Sequence, residues 1–134
     1  TVQSALPGMG EGGAIILCSS VSGVRSMPGA SIYAASKAAI NSLGRSLGAE
    51  LVGRGIRVNV VMPGGVETPI MQRTPGVPPE AAAMVFQKMA EGTPMGRVAQ
   101  PEEIAAAVLF LASPEASYIT ATELHVDGGI IGAT

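Results

Sequence analysis

The run Ala14-Ile15-Ile16-Leu17-Cys18-Ser19 decides how this chain folds. Its side chains are apolar at odd and even positions alike. A strand carries that pattern where helices cover both faces of its sheet, so the run reads as a buried strand of the parallel type. Gly12 and Gly13 precede it, and a loop with Gly23, Pro28 and Gly29 follows. From Ser31, whose hydroxyl suits an N-cap, a long helix is expected to about Leu51. Ile40, Leu43, Leu47 and Leu51 recur at helical spacing, and Ala34, Ala35, Ala38 and Ala39 add thin faces for close packing. Gly53 and Gly55 stop it.

Outward from this pair the pattern repeats. Thr1 to Met9 has the character of the last turns of a helix, closed by Pro7, Gly8 and Gly10. Arg57 to Met62 reads as a second strand, halted by Pro63-Gly64-Gly65, and residues 64–78 are too irregular and too long for a plain connection. A helix is expected over Pro79 to Ala90, with Ala82, Val85, Phe86 and Met89 inward. Another starts at Pro101, with Glu102 and Glu103 beside the positive end of its dipole and with Ile104, Val108 and Leu111 lining its inner face; Ser113-Pro114 end it. Glu123 to Val126 forms a short last strand before Asp127-Gly128-Gly129. The order β-α-β-α-α-β implies right-handed crossovers and a three-stranded parallel sheet, half of a doubly wound α/β domain. Residues 1–134 are expected to form a single domain, and the first strand to carry an unpaired edge unless something covers it.

Composition narrows the function. Lys and Arg number 8 against 10 Asp and Glu, a net charge of −2, and charged residues make up 13%. The weak acidity argues against a nucleic-acid or anionic-membrane partner, and no apolar run has the length of a bilayer span. The single cysteine, Cys18, permits no internal disulfide, which fits a reducing, cytoplasmic setting. Inside its strand it is expected to act as a small buried hydrophobe.

The chemistry concentrates in Tyr33-Ala34-Ala35-Ser36-Lys37. Residues four apart share a helical face, so the Lys37 ammonium can approach the Tyr33 phenol. A phenol is a poor acid–base group at neutral pH; a neighbouring cation stabilises phenolate and makes proton exchange with a hydroxyl or carbonyl feasible. Ser20 sits just past the first strand, at the sheet edge where open α/β sheets put their chemistry, although Ser19 or Ser22 could take its place. After the second strand, Pro63-Gly64-Gly65-Val66-Glu67-Thr68 offers backbone amides and a hydroxyl on the same edge. Tyr–Lys pairs at this spacing are common on helices; the convergence of three segments on one edge is not.

Taken in order, these segments resemble the short-chain dehydrogenase/reductase family, in its classical branch. The likeness runs through Ser19-Ser20, Tyr33-x-x-x-Lys37 and Asn59-Val60-Val61-Met62-Pro63-Gly64. It continues through Thr68-Pro69-Ile70, Pro101-Glu102-Glu103-Ile104-Ala105, Leu109-Phe110-Leu111-Ala112-Ser113 and Val126-Asp127-Gly128-Gly129. The resemblance implies the carboxyl-terminal half of a Rossmann-like fold, and an NAD(P)-dependent oxidoreductase interconverting a carbonyl and a secondary alcohol. Ser20 would orient the substrate, Tyr33 would be the acid and base, and Lys37 would favour the phenolate and hold the nicotinamide ribose. Pro63, Gly64, Val66 and Thr68 would meet the nicotinamide, and the segment from Pro69 to about Ala90 would be the substrate lid. The cofactor, NAD or NADP, would bring the hydride. The substrate would be a small carbonyl or alcohol, and the enzyme a homo-oligomer, tetramer or dimer, through the long helix and the last strand. Three residues between tyrosine and lysine favour carbonyl/alcohol chemistry over enoyl reduction.

Against that family the glycine-rich cofactor loop and the other amino-terminal motifs are missing, so the cofactor-clamping half is not in this chain. The alternative is a catalytically inactive fragment or split half that serves as a structural or oligomerisation module. Gly8-Met9-Gly10-Glu11-Gly12-Gly13 spells G-x-G-x-x-G but follows a helix and opens a strand, the reverse of the dinucleotide fingerprint. His125 lacks ligand partners at metal spacing and is expected to be structural, with no metal site. Met71, Met84, Met89 and Met95 are expected to be core filler rather than a pocket lining. Ala121 stands where the family usually has glycine after Ile119-Thr120.

Overall fold

The structure is a computed structural model, and it describes residues 1–70, 73 and 78–133. A short α1 (Val2–Ala5) passes through a 3-10 turn, Leu6–Gly8, into β1 (Ala14–Cys18). Then come a 3-10 turn at Val21–Gly23, α2 (Ser31–Leu51), β2 (Arg57–Pro63), α3 (Pro79–Glu91), α4 (Pro101–Ala112) and β3 (Glu123–Val126). The order is that expected from the sequence, with ends shifted by a residue. The three strands pair in parallel in the order β1-β2-β3. Ala14 stands opposite Arg57 and Cys18 opposite Val61; Val60 stands opposite Glu123 and Pro63 opposite Val126.

Alternation along the strands sorts the apolar residues into two layers. Ile15, Leu17 and Val58 meet Leu47 and Leu51 of α2, together with Ile56, Leu6 and Met9. On the other face Ile16, Val61, Leu124 and Val126 meet Ile104, Val108 and Leu111 of α4, with Ala116 and Ile119. The sheet is therefore sandwiched between α2 and α4. The most deeply buried strand is β2, whose Val58 to Met62 are inaccessible, whereas β1 was expected to be buried as well. β1 is only half-buried, because it lies at the edge of the described sheet with a neighbour on one side alone. Cys18, at its end, is exposed and is not the buried hydrophobe expected.

The α2 layer differs from expectation for a steric reason. Its buried face consists of Ala34, Asn41, Gly44, Gly48 and Leu51, while Leu43, Ala35, Ala38 and Ala39 are exposed. A Cβ at Gly44 would collide with Val60 Cγ2, so the helix lies close enough to β2 that only small residues fit beneath it. Ser31 is the first helical residue rather than the cap; Ala30 takes the N-cap position and supplies no side-chain bond. Gly55, at φ +68°, closes the turn after α2 in the left-handed region that glycine enters without strain.

Polar groups tie the layers at the amino end of the sheet. Arg57 donates to Leu111 O at 2.7 Å and Ser113 O at 3.0 Å, placing a cation on the carboxyl end of α4. The fully buried Asn59 donates to Ile119 O at 2.9 Å and accepts from Thr122 N at 3.1 Å, fixing the approach to β3. Among the described residues, no helix is long and apolar enough to cross a membrane.

Candidate active site

The carboxyl end of β1 is stitched to α2 by two hydrogen bonds running in opposite directions. Ser19 Oγ donates to Lys37 O at 3.0 Å, and Lys37 Nζ donates to Cys18 O at 3.3 Å. Helical spacing returns Lys37 over Tyr33, with Nζ 5.6 Å from the ring centroid, a cation–π separation. Tyr33 itself is half exposed, at 50%. Its backbone carbonyl accepts from Ser36 Oγ at 2.7 Å.

Ser20 follows in extended conformation and caps the turn Val21–Gly23, its Oγ accepting from Ser22 N at 3.2 Å. An oxygen that accepts here keeps its own proton for donation. Ser19, by contrast, already directs its proton at Lys37 O. Among the described residues, no hydrogen bond joins Ser20 to Tyr33 or Lys37. The fold thus brings Lys37 to Tyr33 and to the end of β1, and sets Ser20 two residues beyond the carbonyl that Lys37 holds.

The end of β2 builds the adjoining wall. Gly64 N donates to Val126 O at 3.1 Å, and Val66 bridges to Ala99 in parallel fashion. The bonds of that bridge come from Gly65 O and Glu67 N. Strand alternation therefore turns the N–H and C=O of Val66 away from Ala99. Pro63, Gly64, Val66 and Thr68 are all half-buried. Gln100 Nε2 donates to Glu67 Oε2 at 2.7 Å, and Gln100 N donates to Glu103 Oε2 at 2.8 Å. The bidentate Arg97 guanidinium, then the Gln100 amide, hold the Glu103 carboxyl down from 4.5 to about 2.

Sequence reading missed several of these ties. Arg25 donates to Ile130 O at 3.1 Å, joining the loop after Ser20 to the carboxyl-terminal segment. Asp127 accepts from Gly129 N and Ile131 N, both at 2.9 Å. The Asp-Gly-Gly spelling signals the second contact; nothing in the sequence signals the first. The glycines Gly8 to Gly13 lie between the Leu6–Gly8 turn and β1, at the sheet's opposite end. His125 is exposed on β3. Met84 and Met95 are exposed rather than core filler, Met89 is half-buried, and Met71 lies outside the described residues. Among the described residues, no three His, Cys, Asp or Glu side chains group to hold a metal ion.

Residues 1–131 match the family model described as enoyl-(acyl carrier protein) reductase. A solved short-chain dehydrogenase/reductase of the glucose/ribitol dehydrogenase type from Brucella melitensis superposes with a TM-score of 0.84 at 34% identity, over 96% of this chain and 49% of that one. The chain belongs to the short-chain dehydrogenase/reductase family. Its sheet is a partial Rossmann-like fold. Another structural neighbour is a blue fluorescent protein from a metagenomic library, solved in complex with NADPH, with a TM-score of 0.84, 32% identity, and coverage of 98% and 50%. Curated relatives include the 3-oxoacyl-(acyl-carrier-protein) reductase FabG of Thermotoga maritima, 42% identical over 89% of this chain and 46% of that protein. The 2,3-dihydro-2,3-dihydroxybenzoate dehydrogenase of Escherichia coli is 46% identical over 89% of this chain and 49% of that protein. The chain spans about half the length of the curated relatives it matches.

Proposed function

We propose that this chain is the catalytic half of an NAD(P)-dependent oxidoreductase that interconverts a small carbonyl compound and a secondary alcohol. The observation that carries the reading is the placement of Lys37. One ammonium group sits over the Tyr33 ring and hydrogen-bonds the last carbonyl of β1, beside Ser20. In reduction Tyr33 gives its phenolic proton to the substrate oxygen; in oxidation the phenolate takes it back. Lys37 stabilises that phenolate by charge. Ser20 donates its free proton to the same oxygen and holds it in line with Tyr33.

The cofactor, NAD or NADP, supplies or accepts the hydride when bound. Tyr33, Lys37, Pro63, Gly64, Val66 and Thr68 would hold its nicotinamide end. The fit rests on Val66, whose N–H and C=O turn away from their bridge and are suited to a carboxamide. Exposed Ile32 and Leu43 on α2, and Leu109 and Phe110 on α4, support assembly into a homo-oligomer.

A test is Lys37→Gln in the complete dehydrogenase polypeptide that carries these residues. Turnover at neutral pH is expected to fall at least about a hundredfold. Unchanged turnover at neutral pH would contradict the role given to Lys37.

A second reading concerns these residues acting alone. Among the described residues β1 has an open edge, and in this reading they form a catalytically inactive structural or oligomerisation module that pairs through that edge.

A further inference from the structure

Helix α2 buries one side chain whose polar atoms find no partner. Asn41 is 3% exposed, and neither Oδ1 nor Nδ2 makes a hydrogen bond. The other buried residues on that helix face, Ala34, Gly44, Gly48 and Leu51, carry no polar side-chain atoms. A leucine would fill the same space without surrendering the hydration of an amide, so the sheet layer alone does not call for asparagine here. The contrast with Asn59 is direct: buried just as deeply, it spends both ends of its amide on Ile119 O and Thr122 N.

What lies against Asn41 gives the reason for it. A Cβ added at Gly23 would stand 2.9 Å from Asn41 Nδ2 and 3.0 Å from Lys37 C, so the turn Val21–Gly23 rests directly on this amide and on the α2 backbone. That turn is the one Ser20 caps. Asn41 is also four residues beyond Lys37, on the same helical face. It occupies the joint between the two parts of the site, the Ser20 turn and the Tyr33–Lys37 helix.

We propose that Asn41 is a positioning residue whose unspent donor and acceptor are taken up by the backbone of the Ser20–Gly23 turn when substrate engages Ser20. Hydrogen bonds of this kind tighten only in the substrate complex. The amide then holds the serine hydroxyl at a fixed distance from the Tyr33 phenol, where small displacements cost large factors in rate. The inference rests on the roles proposed above for Ser20 and Tyr33.

The test uses the complete dehydrogenase and compares Asn41→Leu, Asn41→Asp and, as a control on the underlying reading, Tyr33→Phe. Asn41→Leu is expected to melt at or above the parent temperature, because two unpaired polar atoms are gone. Its kcat should nevertheless fall at least about tenfold while KM changes less than about twofold. Asn41→Asp, which keeps the shape and an accepting oxygen, should recover part of the lost rate. A purely structural role predicts the opposite pattern, so Asn41→Leu with full kcat overturns the proposal. Should that variant fail to fold, Asn41→Ser decides by the same split between kcat and KM. If Tyr33→Phe keeps full turnover, the underlying reading fails; if it is dead while Asn41→Leu is fully active, only this inference fails.

Discussion

Ala121 holds the one non-glycine backbone with positive φ among the described residues, at +56°. An L-residue with a Cβ is strained there by about 1–2 kcal/mol. The strain is held by a hydrogen bond that Ala121 N donates to Val58 O at 2.7 Å and by close packing of its Cβ against Gly48. Ala121→Gly is therefore expected to stabilise the protein by about 1 kcal/mol, read from urea unfolding midpoints; a loss of stability would mean that packing on Gly48 dominates. The sequence already marked this position as unusual. It also marked Tyr33, Lys37 and Ser20, because each pairs a reactive side chain with a fixed place on an element. Cys18 and Asn41 were not legible in the same way. Whether a strand end is covered, or an amide paired, depends on neighbours distant in the chain, and one-dimensional patterns carry no such information.

At the scale of elements, α4 begins at a polar junction that also steadies the end of β2. Glu103 takes both guanidinium nitrogens of Arg97 and the amide of Gln100, while the Gln100 side chain reaches Glu67 beside Val66. The carboxyl of Glu103 is held at about 2 in the fold, below its usual 4.5, so the unfolded chain binds the proton more readily. Its contribution is thus complete above about 4.5 and is lost as pH falls toward 2. Glu103→Gln should lower the melting temperature at pH 7, and the gap from the parent should close between these two values; a gap unchanged at low pH would contradict the assignment. Element boundaries were largely legible, since Pro101, Gly55 and Pro63 punctuate the chain by backbone geometry. The inward face of α2 was legible in part. Leu47 and Leu51 of the leucine stripe pack on the sheet and Ala34 is buried, but the close approach of Gly44 to Val60 puts small residues between them and leaves Leu43 exposed.

At the scale of the molecule, a sheet covered on both faces by α2 and α4 leaves β1 with one open edge among the described residues. The residues proposed above to carry the chemistry lie at the carboxyl ends of β1 and β2 and on α2. For the 134-residue chain alone, titration with NADH and NADPH is expected to show no binding in the micromolar range, because the proposed cofactor contacts on it are those to the nicotinamide end alone; micromolar affinity would overturn the half-site reading. The central claim, that Tyr33 moves the proton, is tested most directly by Tyr33→Phe in the complete dehydrogenase. Turnover should vanish while cofactor still binds, since the ring and Lys37 remain; undiminished turnover would contradict the account.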